Sequence, residues 1–218
     1  MGLDLIVESC AKAGHEDEWR RLIERNFSGP DITDAEQDRF DEISIPPYER
    51  VGAPRVGTDA AADAWILEVR KAAAPEDVAR VLKEYDGYYV LRLSESDGVP
   101  KYSHGGLYEG VDETSFRGSF LEQCGGILSR DLVVAAWEDK FPEEAVAYGQ
   151  ALLAAAGAAA AGSGSVAAPE PKRGLFSRIG LSKPKPTLPL DEQLDIVRSA
   201  AKWYIFWGER GHAIRAWS

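Results

Sequence analysis

The sequence predicts an α+β protein in which a small, mostly antiparallel sheet packs against helices. Three observations support this class. Segments with alternating apolar residues occur near both ends of the chain, amphipathic helical stripes lie between them, and residues 154–189 form a low-complexity stretch rich in Ala, Gly, Ser and Pro. The strands are few and do not alternate regularly with helices, as they would in a parallel α/β sheet.

The first two elements have clear patterns. Leu3, Leu5 and Val7 recur at every second position, which predicts a strand with one buried face. A helix follows His15, with acidic residues in its first turn, where the positive end of the helix dipole favours them. Its apolar stripe consists of Trp19, Leu22, Ile23 and Phe27.

The next region contains a loop and two helices. Residues 31–57 are acidic and then proline-rich, which predicts a long surface loop with one short helix after Thr33. Residues 59–73 fit both the periodicity of a helix and the alternation of a strand, and their alanine content favours a helix. Pro75 suits the first turn of another helix, whose apolar stripe occupies residues 78–85.

The middle of the chain predicts the remaining strands. Residues 88–93 have the strongest strand pattern, and Asp97-Gly98 favours a hairpin turn with a return over residues 99–102. Residues 115–120 predict a second strand or an irregular stretch. Ser129 is placed to cap a helix that carries Leu132 and Trp137.

The end of the chain predicts two helices separated by an insert. One helix begins at Pro142, and a long one occupies residues 191–207, with a final strand at 212–217. Residues 154–189 lack the large apolar side chains that offset the entropy of ordering, so we expect a flexible insert. Residues 1–153 and 190–218 together are then one domain, because Trp203 and Trp207 need a core to enter.

The charge and composition of the chain indicate which binding partners and which cellular location to expect. The formal net charge is −11, and residues 1–50 carry 13 acidic and 6 basic side chains, a net −7. Such a charge favours a soluble monomer and disfavours nucleic acid and anionic membranes as partners. The first residues lack a signal-peptide pattern, and no strongly apolar stretch approaches a membrane span, so we expect a cytoplasmic protein.

The sequence contains no catalytic, nucleotide or metal motif, and we therefore expect no cofactor. The three histidines lack a His or Cys partner at a metal-ligand spacing, and no GxGxxG or Gly-Lys-Ser/Thr pattern occurs. Cys124 precedes Gly125-Gly126, so a Cys124–His104 pair for acyl transfer is one hypothesis. The favoured interpretation of Cys124 is a small buried residue at a tight turn.

The best candidate for a binding site is the segment of residues 102–124. Aromatic and arginine side chains are interspersed there with glycines, as on recognition surfaces, although the same aromatics would also suit a core. The candidate binding residues are Tyr102, His104, Tyr108, Arg117 and Cys124.

Three pieces of the chain together resemble a group of small proteins from phages and prophage-bearing bacteria. These pieces are the opening Met-Gly-Leu-Asp-Leu, the Ser-Phe-Arg-Gly-Ser-Phe stretch at 115–120, and the closing Trp/Tyr helix with its Gly-His-Ala-Ile-Arg strand. That group often opens MGLDI and carries a Phe-Arg-Ala-Gly-Ser-like motif, which here lacks the alanine. The resemblance implies a compact intracellular accessory protein and no particular activity.

Two functions are consistent with these patterns. The first is a non-enzymatic interaction module, of an immunity or accessory type, that presents an acidic surface to a basic protein partner. The alternative is a small-molecule-binding protein or cryptic hydrolase that uses residues 102–124. A concave pocket lined by His104, Arg117 and Cys124 would favour the alternative.

Overall fold

The computed structural model describes residues 3–28, 32–90, 115–162 and 188–217. The strands are β1 (Asp4–Ala11), β2 (Ser44–Ile45), β3 (Ser115–Phe116) and β4 (His212–Trp217). The helices are α1 (Glu16–Ser28), α2 (Asp34–Ile43), α3 (Pro47–Arg50), α4 (Ala60–Val69), α5 (Pro75–Glu84), α6 (Arg130–Ala135), α7 (Pro142–Gly162) and α8 (Leu190–Glu209). A 3₁₀ helix, Gly118–Gln123, follows β3. The α+β class is confirmed.

β1 lies at the centre of an antiparallel sheet. β4 pairs with it along most of its length, with Asp4 opposite Trp217 and Cys10 opposite His212. The other edge of β1 is shared, because β3 pairs with its first half and β2 with its last two residues. β1, the first strand of the chain, therefore pairs with strands from three segments that are distant from it in sequence.

The two faces of the sheet are covered by different helices. On one face, Leu5 and Val7 of β1 enter the main core with the side chains of α7 and α8, and Phe116 of β3 packs on Trp203 with ring centroids 5.9 Å apart. On the other face, α1 and α2 cover Ala213 of β4. The buried members of this second cluster are Trp19, Ile23, Phe40, Ile43 and Ala213.

α8 is buried on almost every side and packs antiparallel to α7. Glycines allow the close approach of the two helices. A Cβ placed on Gly208 would lie 2.7 Å from the carbonyl O of Pro142, and one on Gly149 would lie 2.8 Å from the carbonyl O of Ala201. Both distances are too short for a real Cβ, so each crossing point requires glycine.

A third, smaller core joins α4 and α5. It consists of Val56, Ala62, Ile66, Val81 and Val90. The alanine content correctly predicted α4, and Pro75 indeed occupies the first turn of α5. Of the predicted strand at 88–93, Tyr89 makes one isolated bridge to Arg55, whereas residues 91–93 and the hairpin partner at 99–102 lie outside the described residues.

The structure corrects two predictions about segments that were expected to lack regular secondary structure. The expected surface loop at 31–57 also contains β2 and α3. The helix predicted after Thr33 is present as α2, and Thr33 and Glu36 form a capping box at its start. The insert does not begin at residue 154, since α7 continues to Gly162 and buries Ala156. Alanine has the highest helix propensity, so this stretch extends the helix without large side chains. Residues 163–187 lie outside the described residues.

By length and composition, α7 is also long and apolar enough to cross a membrane, which was not expected from the sequence. Its apolar character comes largely from alanines. Tyr148, Leu152 and Ala156 lie on one face of α7 and are buried in the main core against α8. One face of α7 therefore packs in the main core, and 28% of its apolar window is buried.

We expect Gly208→Ala to lower the free energy of unfolding by about 1–3 kcal/mol, because the new methyl group overlaps the α7 backbone. Gly157→Ala is the matched control, since a Cβ there meets nothing within 4 Å. The control should be neutral or raise stability by about 0.5–1 kcal/mol, since alanine is the better helix former. Urea unfolding measures both, and equal effects of the two variants would contradict the close-packing argument.

We expect truncation after Gly162 to abolish cooperative unfolding, because it removes β4 and the buried Trp203 and Trp207 of α8. Calorimetry and binding of a hydrophobic dye test this. The control replaces residues 163–187 with a Gly/Ser linker of the same length and keeps α8. A sharp thermal transition in the truncated protein would show that the domain does not need its C-terminal part.

Candidate functional site: a charged cleft and an acidic helix face

Of the residues predicted to bind a ligand, Tyr102, His104 and Tyr108 lie outside the described residues. The structure describes Arg117 and Cys124. Arg117 precedes the 3₁₀ helix, and its Nε lies 3.6 Å from Oδ1 of Asp4. This ion pair links the β3 end of the sheet to the start of β1.

Cys124 is a core residue, and its inclusion among the ligand-binding residues is corrected. Its side chain has no solvent exposure, and Sγ lies 3.4 Å from the carbonyl O of Phe120. Burial raises the pKa of the thiol to about 12, with a smaller contribution from Glu192. A thiol that is buried and protonated at neutral pH is a poor nucleophile, so the geometry supports the structural interpretation of Cys124.

A separate cleft of about 590 Å³ opens where six elements meet. Its walls come from the end of β1, the first turn of α1, β2, α3, the first turn of α7 and the C-terminal end of α8. Neither Arg117 nor Cys124 lines it. The apolar part of its surface is formed by Cys10, Ala11, Ala13, Ile45 and Pro142.

Gly211 determines how α8 is joined to the sheet beside this cleft. Its φ of +83° lies in the left-handed region that favours glycine, and it lets the chain turn from α8 directly into β4. A Cβ at this position would lie 3.7 Å from the Cβ of Cys10. The turn thus places the last turn of α8 next to the end of β1.

The charged side chains of the cleft differ in how they are paired. Arg20 and Glu143 form an ion pair between α1 and α7, with Nη2 and Oε1 2.6 Å apart. Arg210 lies over the ring of Phe206, 3.5 Å from its centroid, and donates Nη1–H to the Phe206 carbonyl O at 3.0 Å. Arg50 is exposed and has no ion pair among the described residues.

His212 is a buried, neutral side chain beside the cleft. Nδ1–H donates to the carbonyl O of Glu8 at 2.7 Å, and the imidazole packs edge-on against Trp207. Burial, with smaller contributions from the positive charges of Arg50 and Arg210, lowers the pKa of His212 to about 4. The influence of both arginines on one imidazole shows that their fields converge at this end of the sheet.

The carboxylates of α1 and α2 are organised differently from those of the cleft. Arg39 pairs with Glu18 and Glu42, and Arg25 pairs with Glu36. Arg20 pairs with Glu143 of α7, and Arg21 has no ion pair in the described part of the chain. The solvent-facing side of α2 carries Asp34, Asp38 and Asp41, which are exposed and have no ion pair among the described residues. Their spacing of four and three residues places them on one helix face. We call these three residues the acidic face.

Sequence reasoning missed Cys10, Arg50 and Arg210 as lining residues of one cleft. They lie on β1, at the end of α3 and at the C-cap of α8, and the pairing of β1 with both β2 and β4 brings them together. No local spacing pattern signals such a site. Within the described ranges, no group of three or more His, Cys, Asp or Glu side chains is arranged to hold a metal ion.

We expect His212 to make the protein less stable in acid. Because the folded-state pKa of about 4 lies below the usual 6.5, the unfolded chain binds the proton first, and stability is lost as the pH falls through this interval. His212→Gln should therefore lose about 3 kcal/mol less than the wild type between pH 7 and pH 4. Urea unfolding at a series of pH values measures this.

His15→Gln is the control, since His15 is exposed on the first turn of α1. Burial also raises the pKa of Glu8, which acts in the opposite direction but is common to all three proteins. Parallel stability–pH curves for wild type and His212→Gln would contradict the assignment.

Comparisons with known proteins give no match: no family model, no curated protein and no solved structure is similar enough to this chain to identify its family.

Proposed function

We propose that this protein is a non-enzymatic interaction module of the cytoplasm, of an immunity or accessory type, and that its acidic face binds a basic region of a partner protein. The observation that carries the proposal is the arrangement of charge on α1 and α2. Arg25 and Arg39 there are neutralised by neighbouring carboxylates, whereas Asp34, Asp38 and Asp41 point outward without a counter-ion among the described residues.

Electrostatic theory supports this use of the acidic face. A patch of one sign on a chain of net charge −11 attracts a positive surface at long range and accelerates association. Exposed charges on a helix that already has a capping box and interhelical ion pairs are not needed to hold the helix in place. They are therefore available to a partner without rearrangement of the fold.

The alternative function, a small-molecule-binding protein or hydrolase that uses residues 102–124, has less support. Cys124 is buried and Arg117 is held at Asp4, while residues 102–114 lie outside the described residues. A ligand site in the described part of the chain is better sought in the charged cleft, which sequence reasoning did not identify.

We expect the triple variant Asp34→Asn, Asp38→Asn, Asp41→Asn to weaken partner binding by about threefold to a hundredfold, since exposed charge pairs contribute roughly 0.2–1 kcal/mol each. The partner is first captured from a lysate of the source organism at low salt and identified by mass spectrometry. Titration calorimetry with the purified partner then measures affinity, which should fall as salt increases.

The matched control is Glu76→Gln, Glu122→Gln, Asp131→Asn, which removes the same charge from exposed positions on three other segments. It should bind nearly as tightly as the wild type. Equal weakening by both triple variants would mean that only net charge matters, and binding insensitive to salt would contradict an electrostatic interface.

A further inference from the structure

The charged cleft has the size and composition of a small-molecule site. Its volume of about 590 Å³ falls within the range of roughly 300–1,000 Å³ typical of ligand pockets. Such pockets combine an apolar lining with a few polar groups that fix the orientation of the ligand. Here the apolar lining is the small surface around Cys10 and Ile45, and the polar groups are arginines and carboxylates.

Two arginines are available to an anionic group. Arg50 comes from α3 and has no ion pair among the described residues. Arg210 comes from the last turn of α8, where stacking on Phe206 and one hydrogen bond hold the guanidinium in place and leave other N–H groups for a ligand. A guanidinium binds a carboxylate through two parallel hydrogen bonds, so this pair suits a carboxylate ligand.

Two carboxylates are available to a cationic group. Asp17 lies in the first turn of α1 and Glu209 in the last turn of α8, and both line the cleft without an ion pair in the described part of the chain. The other charged pair of the lining, Arg20 and Glu143, is already neutralised internally. The cleft thus holds two arginines, Arg50 and Arg210, and three carboxylates, Asp17, Glu209 and Glu16, without an ion pair in the described part of the chain. Of these carboxylates, Glu16 already accepts a hydrogen bond from Gly14 N–H at 3.1 Å.

These charges determine which class of ligand fits. A purely anionic ligand would be repelled by Asp17 and Glu209, and a purely cationic ligand by Arg50 and Arg210. A ligand with a carboxylate and an ammonium on neighbouring atoms avoids both penalties. The apolar lining beside these groups accommodates an apolar side chain.

We propose that the charged cleft binds a small zwitterion, a free α-amino acid or dipeptide with an apolar side chain, whose carboxylate contacts Arg50 and Arg210 and whose ammonium contacts Asp17 or Glu209. This inference is independent of the acidic face, which lies on α2. It assigns the protein a ligand in addition to a protein partner.

The test uses the full chain and a panel of leucine, methionine, phenylalanine and leucyl-leucine in ¹⁵N NMR titrations. At least one member should give saturable shifts at the amides of Ala11, Ala13 and Gly211, with a Kd below about 10 mM. For leucine, the matched probes are N-acetyl-leucine, which lacks the ammonium, and leucinamide, which lacks the carboxylate. Each blocked form of the best ligand should bind at least tenfold more weakly.

Variants locate the charges that matter. Arg50→Gln and Asp17→Asn should each weaken binding of the zwitterion about tenfold, and Arg50→Gln should not weaken binding of the form without a carboxylate. Arg198→Gln is the control, because Arg198 is an exposed arginine of α8 that does not line the cleft. Unchanged melting temperatures show that the variants remain folded.

The proposal is overturned if no member of the panel gives saturable shifts at these amides, or if the blocked forms bind as tightly as the zwitterion. It is also overturned if Arg198→Gln weakens binding as much as Arg50→Gln. None of these results depends on whether the acidic face binds a partner.

Discussion

The close packing of α8 against α7 is the constraint on which the rest of the structure depends. Gly149 and Gly208 let the two backbones approach until side-chain and carbonyl atoms of one helix occupy the space a Cβ of the other would need. This contact fixes the C-terminal end of α8 beside the first turn of α7, and the turn at Gly211 then leads β4 onto β1. The charged cleft lies where these ends meet, so its geometry is a consequence of helix packing.

Electrostatics divide the described surface into regions with different roles. Arg25 and Arg39 form ion pairs between α1 and α2, and a row of three aspartates without an ion pair among the described residues faces solvent. In the cleft, Arg20 and Glu143 are paired, whereas Arg50, Arg210, Asp17 and Glu209 come from different elements and have no ion pair among the described residues. The chain has a net charge of −11, yet Arg50 has no ion pair among the described residues and lies near the buried side chains of Cys10 and His212. The positive charge of Arg50 disfavours protonation of the His212 imidazole, which burial already disfavours.

Sequence patterns predicted the elements that depend on interactions between residues close together in the chain. The alternation in β1, the stripe of α1 and the cap at Ser129 each depend on residues within a few positions of one another, and the structure confirms them. The alanine run after residue 153 was misread because its low side-chain volume indicated disorder, whereas its helix propensity extends α7. The cleft was not predictable in this way. Cys10, Arg50 and Arg210 acquire a shared surface only through pairings between distant parts of the chain.

The pairing of β1 with β4 joins segments that are 204 residues apart at the contact between Glu8 and His212. Closing so long a loop is entropically costly, and non-local strand pairing slows folding. Yet the strands run antiparallel with Trp217 opposite Asp4, so the last described residues lie beside the first. A short turn between them would convert β4 and β1 into an ordinary hairpin, with new termini opened between α7 and α8. The fold is thus suited to circular permutation, which would make its most distant contact its most local one.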